Sequence, residues 1–325
     1  PIEPKRWQPP RVDAPLPPAT EVSPRVISLP ETGEDPAVLP DGTVVTGLAD
    51  GRIVKVGEDG TITDVARVGT GQILGIEVHP DGGLVCCAAD DGLFRVDTDT
   101  GKAVALTTEV EGRPLVLTNN AHVAADGTIF FTESTTRFSL EWYRGDILEH
   151  SMTGSAFARS PSGEIDHLLG GLAFANGIVE HPDGDSILVA ETAGYAIHRV
   201  WLGGDRAGQA DVFFDGSPGF FDNLSVGPTG TIWAPVVNPR NPILDALLPR
   251  SPLLRKLVWA TPEKLQPQPT SEFRVLGFAA DGTITHHLEG PGDTFGFVTG
   301  VREHEGRLWL ASVERPELAV VDLPT

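Results

Sequence analysis

The sequence predicts an all-β protein, a six-bladed β-propeller with four antiparallel strands in each blade. Turns of the form x-Asp-Gly or a close variant, each followed by a short apolar strand, recur along the 325 residues, and six of them mark one repeat each. Asp-Gly between apolar strands indicates a hairpin, because glycine tolerates a positive φ. Successive turn glycines are 40, 45, 57, 46 and 76 residues apart, and propeller blades repeat about every 40–50 residues. The turns are Pro40-Asp41-Gly42, Pro80-Asp81-Gly82, Ala125-Asp126-Gly127, Pro182-Asp183-Gly184, Pro228-Thr229-Gly230 and His304-Glu305-Gly306.

Complete blades can be read in the first and fourth repeats. The first repeat contains EDPAVLP, TVVTGLA, RIVKVGE and TITDVARV, and the fourth contains ANGIVEH, SILVAET, AIHRVWL and ADVFFDG. The sixth repeat has only three strands before the chain ends: VTGVREH, RLWLASV and ELAVVDL. The N-terminal RVISL, residues 25–29, is therefore predicted to supply its outer strand and close the ring. Residues 1–24 form a proline-rich arm, and residues 25–325 form one propeller domain.

Two segments are predicted to extend from one face of the propeller. The long fifth repeat carries an insertion at about 238–271, which is rich in leucine, contains basic residues and predicts a short helix. A shorter segment, STTRFSLEWYRG, leaves the third repeat on the same face. The leucines could pack the insertion onto the propeller, or both segments could form an apolar lid that selects the substrate. Contact with a membrane or a partner is a third interpretation.

Composition limits the classes of partner. The formal net charge of −21 argues against nucleic acid and anionic membrane surfaces, and favours cations or small neutral substrates. Apolar runs in the sequence fall short of the ~20 residues that a membrane-spanning helix needs. The two cysteines, Cys86 and Cys87, are adjacent and would face opposite sides of a strand, so no disulfide is expected. This favours a cytoplasmic location; secretion after removal of a signal before Pro1 stays open, and the oligomeric state is not predicted.

Counting back eight residues from each turn glycine identifies one position in every repeat. These positions are Glu34, Leu74, Asn119, Asn176, Asp222 and Val298. The first strand of each blade lines the central channel of a propeller, so the six positions should form a ring at one depth. Four of them are oxygen donors of types that are uncommon in strands. Two carboxylates and two amide carbonyls suit Ca²⁺, whereas transition metals prefer imidazole or thiolate ligands.

Further polar residues accompany the ring. Asp35, Asn120 and Asn223 lie one step along the first strands, where they could orient the ligands or line a deeper ion site. A single Asn or Asp at a strand mouth usually caps the strand or binds water, but the shared offset favours a metal site. Glu133 and Glu191 end second strands near the same mouth. They are interpreted as salt-bridge partners, with substrate contact as the alternative.

Other catalytic signatures are absent from the sequence, which contains no Gly-x-Ser-x-Gly, His-Glu-x-x-His, Walker loop or Cys-x-x-Cys. The nine histidines have no metal-binding spacing. His122, three residues after Asn119, is interpreted as a packed or water-bonded core histidine. His286 and His287, on a predicted outer strand, are expected to face solvent. The candidate chemistry therefore depends on oxygen ligands.

The segments GEDPAVLPDGTVVTG, NNAHVAADGTIFFTES, FANGIVEHPDGDSILVAET and FFDNLSVGPTGTIW together resemble the strictosidine synthase-like family. That family of six-bladed propellers is related to the paraoxonases, gluconolactonases and diisopropylfluorophosphatase. The resemblance runs from about Glu34 to the C terminus. It implies that Glu34, Asn119, Asn176 and Asp222 are metal ligands, with Asn223 as a candidate fifth. It also implies that Ca²⁺, or another divalent ion, supports hydrolysis of lactones, aryl esters or organophosphates.

Two departures from the family pattern narrow the chemistry. Strictosidine synthase has a catalytic glutamate on the first strand of blade 6, where this sequence has Thr299. Paraoxonases have a histidine near the metal on blade 2, where this sequence has Leu74. Amine–aldehyde condensation and histidine-assisted ester hydrolysis are therefore disfavoured, and Leu74, Val298 and Thr299 become candidates for substrate contact.

Metal-assisted hydrolysis of small esters, lactones or phosphoesters is the resulting hypothesis. Asp222 and Glu34 are the candidate catalytic residues, with Asp222 as general base or nucleophile. The rival hypothesis is a noncatalytic propeller that keeps a structural Ca²⁺ and binds a small molecule or a protein. Condensation of the strictosidine type is a distant third.

Overall fold

Six antiparallel sheets surround a central channel in the computed structural model, which describes residues 1–12 and 14–323 and confirms the predicted propeller. From the channel outward, the strands of the first three blades are Gly33–Val38, Val44–Leu48, Arg52–Val56 and Ile62–Arg67; Ile73–Val78, Leu84–Ala88, Gly92–Val96 and Ala103–Thr107; and Thr118–Val123, Ile129–Glu133, Gly154–Arg159 and Ile165–Leu172. The other three blades contain Ala175–Glu180, Ser186–Glu191, Ala196–Trp201 and Ala210–Asp215; Gly219–Phe221 with Ser225–Val226, Ile232–Pro239, Phe273–Phe278 and Ile284–Gly290; and Val298–His304, Arg307–Ser312, Glu317–Asp322 and Arg25–Ser28. A two-stranded hairpin, Glu109–Val110 with Arg113–Pro114, lies between blades 2 and 3.

The predicted turns form as the sequence indicates. The six turn glycines have φ between 73° and 93°, a region that side chains disfavour. The preceding aspartate fixes the turn, as where the Asp41 Oδ1 accepts the Thr43 N–H at 2.9 Å. Short-range chemistry therefore sets where each inner hairpin reverses.

The N-terminal strand closes the ring, as predicted. Arg25–Ser28 pairs antiparallel with Glu317–Asp322, with Val26 opposite Ala319. The last blade therefore contains strands from both ends of the chain, and the ring cannot close until the whole domain has been assembled.

The arm before this strand lies against the propeller. Thr20–Glu21 pairs in parallel with the outer strand of blade 5. Nearer the N terminus, the Trp7 N–H donates to the Leu248 carbonyl at 3.1 Å, and the Lys5 N–H donates to the Glu149 carbonyl at 3.0 Å. Ile2 is buried. The arm thus connects the two segments that extend from the propeller face.

The arm also corrects one expectation from the sequence. His287 is buried rather than solvent-facing, because the arm covers it: its Nδ1 lies 3.0 Å from the Pro17 carbonyl, and its Nε2 lies 3.0 Å from Glu289 Oε1. His286 is half-buried. The outer strand of blade 5 is not an exposed edge at this point.

Each blade buries both of its faces against its neighbours. Cys86 packs in the cluster between blades 1 and 2 with Ile53 and Ile76, whereas Cys87 packs between blades 2 and 3 with Phe131. Both thiols are free and buried. The predicted alternation of the two cysteines is confirmed.

The two extended segments contain the helices. In blade 3, a 3-10 turn at Leu140–Trp142 leads into α1, Tyr143–Glu149. In blade 5, α2 is Pro242–Leu247 and α3 is Pro252–Trp259, followed by a 3-10 turn at Glu263–Leu265. A further 3-10 turn, Gly204–Arg206, lies in blade 4. Within the described residues, none of these helices combines the length and apolarity needed to cross a membrane.

All six inner strands lose regular pairing at one depth. Blade 3 illustrates the irregularity. Thr118 pairs with Glu133 and Ala121 with Phe131, so residues 119 and 120 of the inner strand lie opposite the single residue 132 of its neighbour. A β-bulge of this kind redirects side chains and leaves backbone groups free for other partners. The irregular residues are 34–35, 74–75, 119–120, 176–177, 222–224 and 299.

Glycines let adjacent bulges approach closely. A Cβ on Gly177 would lie 2.2 Å from the Leu224 nitrogen and 2.6 Å from the Asp222 carbonyl oxygen. Gly75 meets Asn120 and Gly300 meets Asp35 in the same way, each with an Asx Cα at 2.7 Å. Blades 2, 4 and 6 therefore contribute a glycine that accommodates the backbone of the next blade.

This packing predicts that Gly177→Ala lowers the free energy of unfolding by about 2 kcal/mol or more, because the contacting backbone of blade 5 must move. Urea denaturation measures the change. Gly71→Ala is the matched control, since a Cβ there has no heavy atom within 4 Å. Equal stability of the two variants would contradict the role of Gly177.

Candidate metal centre and substrate pocket

A cavity of about 390 Å³ opens where the channel meets the face that carries the helices. Its floor contains the four predicted ligands, and its walls come from loops of the blades and from both extended segments. The floor residues are Glu34, Asn119, Asn176 and Asp222. They come from blades 1, 3, 4 and 5, so the fold brings together residues that are far apart in the sequence.

The four floor side chains share one property that fits a cation. Each is at most 7 % exposed, and each has one buried oxygen without a hydrogen-bond partner among the described residues. Leaving a buried polar atom unpaired costs about 1–3 kcal/mol, so four at one depth call for a shared partner. The oxygens are Glu34 Oε2, Asn119 Oδ1, Asn176 Oδ1 and Asp222 Oδ1.

The donor set is all oxygen. Within residues 1–12 and 14–323, no three His, Cys, Asp or Glu side chains form a metal-binding cluster. The floor differs from such a cluster because amides provide half of its side chains. Carboxylates combined with amide carbonyls match the preference of Ca²⁺ for hard oxygen ligands.

Negative charge accumulates at the floor. Burial, followed by repulsion from Asp222 and Asp35, raises the pKa of Glu34 well above its ordinary value. Burial likewise raises the pKa of Asp222 to about 7, against the opposing effect of a hydrogen bond from Asn176. A cation among these carboxyls would offset both their desolvation and their mutual repulsion.

Asp35 and Asn120 lie below the floor and connect neighbouring blades. The Asn120 Nδ2 donates to Asp35 Oδ2 at 3.3 Å, and its Oδ1 accepts the Ile178 N–H at 3.1 Å. Asp35 Oδ2 also accepts the Ile76 N–H at 3.3 Å. These bonds link the bulges of neighbouring blades below the floor.

Asn223 occupies the corresponding position in blade 5 with a different environment. It is 1 % exposed, and neither amide atom of its side chain has a partner among the described residues. Its backbone N–H donates to the Thr299 carbonyl at 3.1 Å. Asn223 is therefore available as a further ligand, but it does not line the cavity.

The structure corrects the register in blade 6. Val298 packs in the hydrophobic core with Phe273 and Phe295 instead of reaching the pocket, and Thr299 occupies the pocket position. The count from the turn glycine fails because this turn has two residues, between His304 and Arg307. The matching turn in blade 3 has five residues. Leu74, in contrast, lines the pocket as expected.

Glu133 pairs with Arg113 and Glu191 with His198, both away from the cavity. Both oxygens of Glu133 accept from Arg113, at 2.8 and 2.7 Å. Glu191 Oε2 lies 2.7 Å from His198 Nε2, and its Oε1 accepts the Ala173 N–H at 2.8 Å. Neither side chain lines the cavity, so the geometry agrees with their interpretation as salt-bridge partners.

The aromatic residues of the cavity wall were not identified from the sequence. Phe174 and Phe297 line the cavity with φ of 66° and 54°, which is unusual for bulky side chains. Each precedes a floor or pocket position by two residues, Asn176 and Thr299 respectively. Strained conformations of this kind concentrate at functional sites, but only coordinates show them. Tyr143 of α1 completes the aromatic wall.

A second charged layer lies deeper in the channel. The Arg302 Nη1 is 3.1 Å from Glu77 Oε2, and His122 lies between Glu77 and Glu180, at 3.9 and 3.7 Å. Although burial raises it, the Arg302 guanidinium and then His122 hold the pKa of Glu77 at about 2. His122 is therefore a channel residue paired with carboxylates, where the sequence suggested packing or water contact.

The chain belongs to the SMP-30/gluconolactonase/LRE-like family, whose model matches residues 46–241; a strictosidine synthase-like N-terminal model matches residues 26–56. It is 34 % identical over 309 residues to adipocyte plasma membrane-associated protein of Salmo salar, covering 86 % of this chain and 73 % of that protein. It is 31 % identical over 331 residues to strictosidine synthase-like protein 10 of Arabidopsis thaliana, covering 92 % and 85 %. The resemblance drawn from the sequence is confirmed.

Solved structures share the fold at low identity. A gluconolactonase from Xanthomonas campestris superposes with a TM-score of 0.67 at 20 % identity, covering 100 % of this chain and 97 % of that one. A calcium-binding protein, regucalcin, from Agrobacterium tumefaciens gives 0.66 at 19 % identity, covering 95 % and 96 %. These similarities establish the six-bladed propeller architecture.

The Glu77–Arg302 pair generates a prediction about stability. The pKa of Glu77 in the folded protein lies below its ordinary value of 4.5. The ion pair therefore stabilises the fold above pH 4.5 and loses its effect as the pH falls towards 2. Glu77→Gln should lower the free energy of unfolding by about 3 kcal/mol at neutral pH. Its difference from the unsubstituted protein should shrink on acidification.

Denaturant titrations across this pH range measure the effect. Glu164→Gln, at an exposed position, is the matched control and should leave the pH profile unchanged. A Glu77→Gln deficit that stays constant from neutral to acidic pH would be inconsistent with the ion pair as its origin.

Proposed function

We propose that this protein is a metal-dependent hydrolase of small esters or lactones, with Ca²⁺ as the metal. The observation that carries the proposal is the group of four floor oxygens that have no hydrogen-bond partner among the described residues, in a pocket with largely apolar walls. Glu34, Asn119, Asn176 and Asp222 would hold the ion, with Asn223 as a further candidate ligand. Phosphoesters belong to the same chemical class and are included as test substrates.

The descriptions of the matched family and of a structural neighbour support the proposed hydrolase. The family is described by its gluconolactonase members, and the Agrobacterium neighbour is described as calcium-binding. The structural neighbours are below 25 % identical, so the floor chemistry of this chain remains the main support. Another divalent ion could replace Ca²⁺ at an all-oxygen floor.

Catalysis at the floor would combine the Lewis acidity of the metal with the carboxylates of this chain. When bound, the ion supplies Lewis-acid polarisation of a carbonyl or phosphoryl oxygen and helps to acidify water. Asp222 lies at the floor, where no residue that the structure describes bonds to its Oδ1, and is the candidate general base or nucleophile. Glu34 is the second candidate catalytic carboxylate. Asn176, hydrogen-bonded to Asp222, would orient that carboxylate.

The walls indicate the kind of substrate. Leu74, Phe174 and Phe220 line the cavity above the floor, together with Tyr143. Arg144 also lines it, but this cation is paired with Glu263 at 2.6 Å and donates to the Pro267 carbonyl at 3.0 Å. A neutral substrate with an apolar acyl or aryl group matches this lining better than an anion does.

Two related reactions fit this site less well. The Thr299 hydroxyl donates to the Glu34 carbonyl at 2.7 Å, so its position offers no free acid for condensation of an amine with an aldehyde. Leu74 provides an apolar wall where histidine-assisted hydrolysis would need an imidazole. Catalysis by the floor carboxylates and the ion therefore remains the favoured chemistry.

A noncatalytic propeller with a structural Ca²⁺ is the second candidate. One observation favours it: the four floor residues belong to four different blades, so a bound ion would tie those blades together at the axis. In that case the pocket would bind a small molecule, or the face would bind a protein, without turnover.

A panel of lactones, aryl esters and phosphotriesters, assayed with Ca²⁺ and with chelator, separates the two candidates. We expect turnover that chelator abolishes and Ca²⁺ restores. Saturating Ca²⁺ at about 100 times its dissociation constant should also stabilise the fold by about 2.7 kcal/mol. Loss of thermal stability in chelator, without turnover on any substrate, would favour the structural role.

Asp222→Asn tests the catalytic carboxylate. The variant removes one negative charge but preserves the shape of the side chain, so we expect the fold to persist while turnover falls by at least about 100-fold. Asp185→Asn, at an exposed turn of blade 4, is the matched control and should retain full activity. Full activity of Asp222→Asn, measured at saturating Ca²⁺, would refute the assigned role.

A further inference from the structure

Helix α3 exposes three leucines to solvent and buries an arginine, which is unusual for a helix on the surface of a water-soluble protein. Leu253 and Leu257 are 67 % and 65 % exposed, and Leu254 is 38 % exposed, whereas Arg255 is fully buried. A surface helix normally buries its apolar stripe and exposes its charges. The outward face of α3 is therefore better suited to an apolar environment than to water alone.

Contacts of Arg255 fix this orientation. Its Nη1 donates to the Leu148 carbonyl at 3.0 Å and to the Glu149 carbonyl at 3.1 Å, and its Nη2 donates to the Lys5 carbonyl. Rotating the helix to bury the leucines would expose this guanidinium and break its hydrogen bonds to the Leu148, Glu149 and Lys5 carbonyls. The exposed leucines are thus a consequence of packing by the arm and α1.

Further exposed apolar side chains lie in both extended segments. Ile243 is 59 % exposed and Leu265 is 75 % exposed, and Trp142 packs edge-on against Trp259, with ring centroids 6.2 Å apart. Seven of the twelve exposed large apolar side chains in the described residues belong to the two extended segments and form what we call the lid patch. The lid patch comprises Trp142, Tyr143, Ile243, Leu253, Leu254, Leu257 and Leu265.

Charge around the lid patch differs in sign from the rest of the protein. Residues 238–271 contain five basic and two acidic residues, in a chain with a net charge of −21. Arg250, Lys256 and Lys264 are exposed and form no salt bridge with any residue that the structure describes. The whole-chain charge, which argues against anionic surfaces, conceals this local reversal.

We propose that the lid patch binds the surface of an anionic lipid bilayer, with α3 lying in the interface. Apolar side chains beside unpaired lysine and arginine are the composition of helices that lie in such interfaces, and basic residues near an anionic surface add electrostatic attraction to the binding. Tyr143 belongs to both the lid patch and the pocket wall. The pocket mouth would therefore open beside the lipid, where apolar esters and lactones partition.

A second copy of the chain is a poorer match for the lid patch. A two-fold contact through this surface would bring Arg250, Lys256 and Lys264 of one copy close to the same residues of the other. Like charges at a dry interface oppose association, whereas anionic lipid headgroups satisfy them. The proposal does not depend on turnover, so it stands or falls separately from the hydrolase assignment.

Vesicle flotation tests the proposal with the full chain. We expect the protein to float with vesicles of phosphatidylcholine mixed with phosphatidylglycerol, and to bind vesicles of phosphatidylcholine alone more weakly. Added salt should weaken binding to the anionic vesicles. Leu253→Ser combined with Leu257→Ser should lower the partition coefficient about tenfold or more, and Lys256→Glu with Lys264→Glu should remove the preference for anionic lipid.

Val104→Ser combined with Val212→Ser is the matched control, because these valines are 49 % and 54 % exposed on outer strands outside the lid patch. That variant should float like the unsubstituted protein. The proposal is overturned if the leucine variant floats equally well, or if neither vesicle type binds the protein. It is also overturned if size-exclusion chromatography with light scattering shows self-association that the leucine substitutions abolish, without vesicle binding.

Discussion

The constraint on which this structure depends is the convergence of six inner strands around one axis. The strands meet at the depth where each loses regular pairing with its neighbour in the blade. Gly75, Gly177 and Gly300 allow the approach because any Cβ there would strike the next blade. Asp35 and Asn120 then occupy the backbone N–H groups that the bulges release. A regular strand would have kept these groups inside its own sheet.

The candidate site follows from that convergence. A bulge turns one side chain per blade towards the axis, and four of these side chains carry an oxygen that the described protein does not satisfy. The Arg302–Glu77 pair lies deeper in the channel, and apolar residues line the cavity above the floor. The four unsatisfied oxygens therefore share one layer below an apolar wall, which favours an ion at the floor and a neutral, apolar group above it.

On the face above the site, the hydrogen bonds of Arg255 determine how α3 is oriented. The arm and α1 offer carbonyls that only a buried donor can satisfy, and Arg255 supplies that donor from α3. Because the helix must turn its arginine inward, it must turn its leucines outward. The same set of hydrogen bonds thus shapes the pocket wall and creates an exposed apolar surface at the pocket mouth, so the pocket and the proposed lipid-binding surface share one set of contacts.

Local chemistry determined much of this protein from the sequence alone. Turn glycines, strand periodicity and a shared offset were enough to predict the propeller and to place Glu34, Asn119, Asn176 and Asp222 at one depth. The offset failed where the turn of blade 6 is shorter, so Val298 was chosen in place of Thr299. Burial of His287 and the inward position of Arg255 depend on the arm, hundreds of residues away in the chain. Such contacts have no local signature, because they are chosen by what the assembled fold leaves unsatisfied.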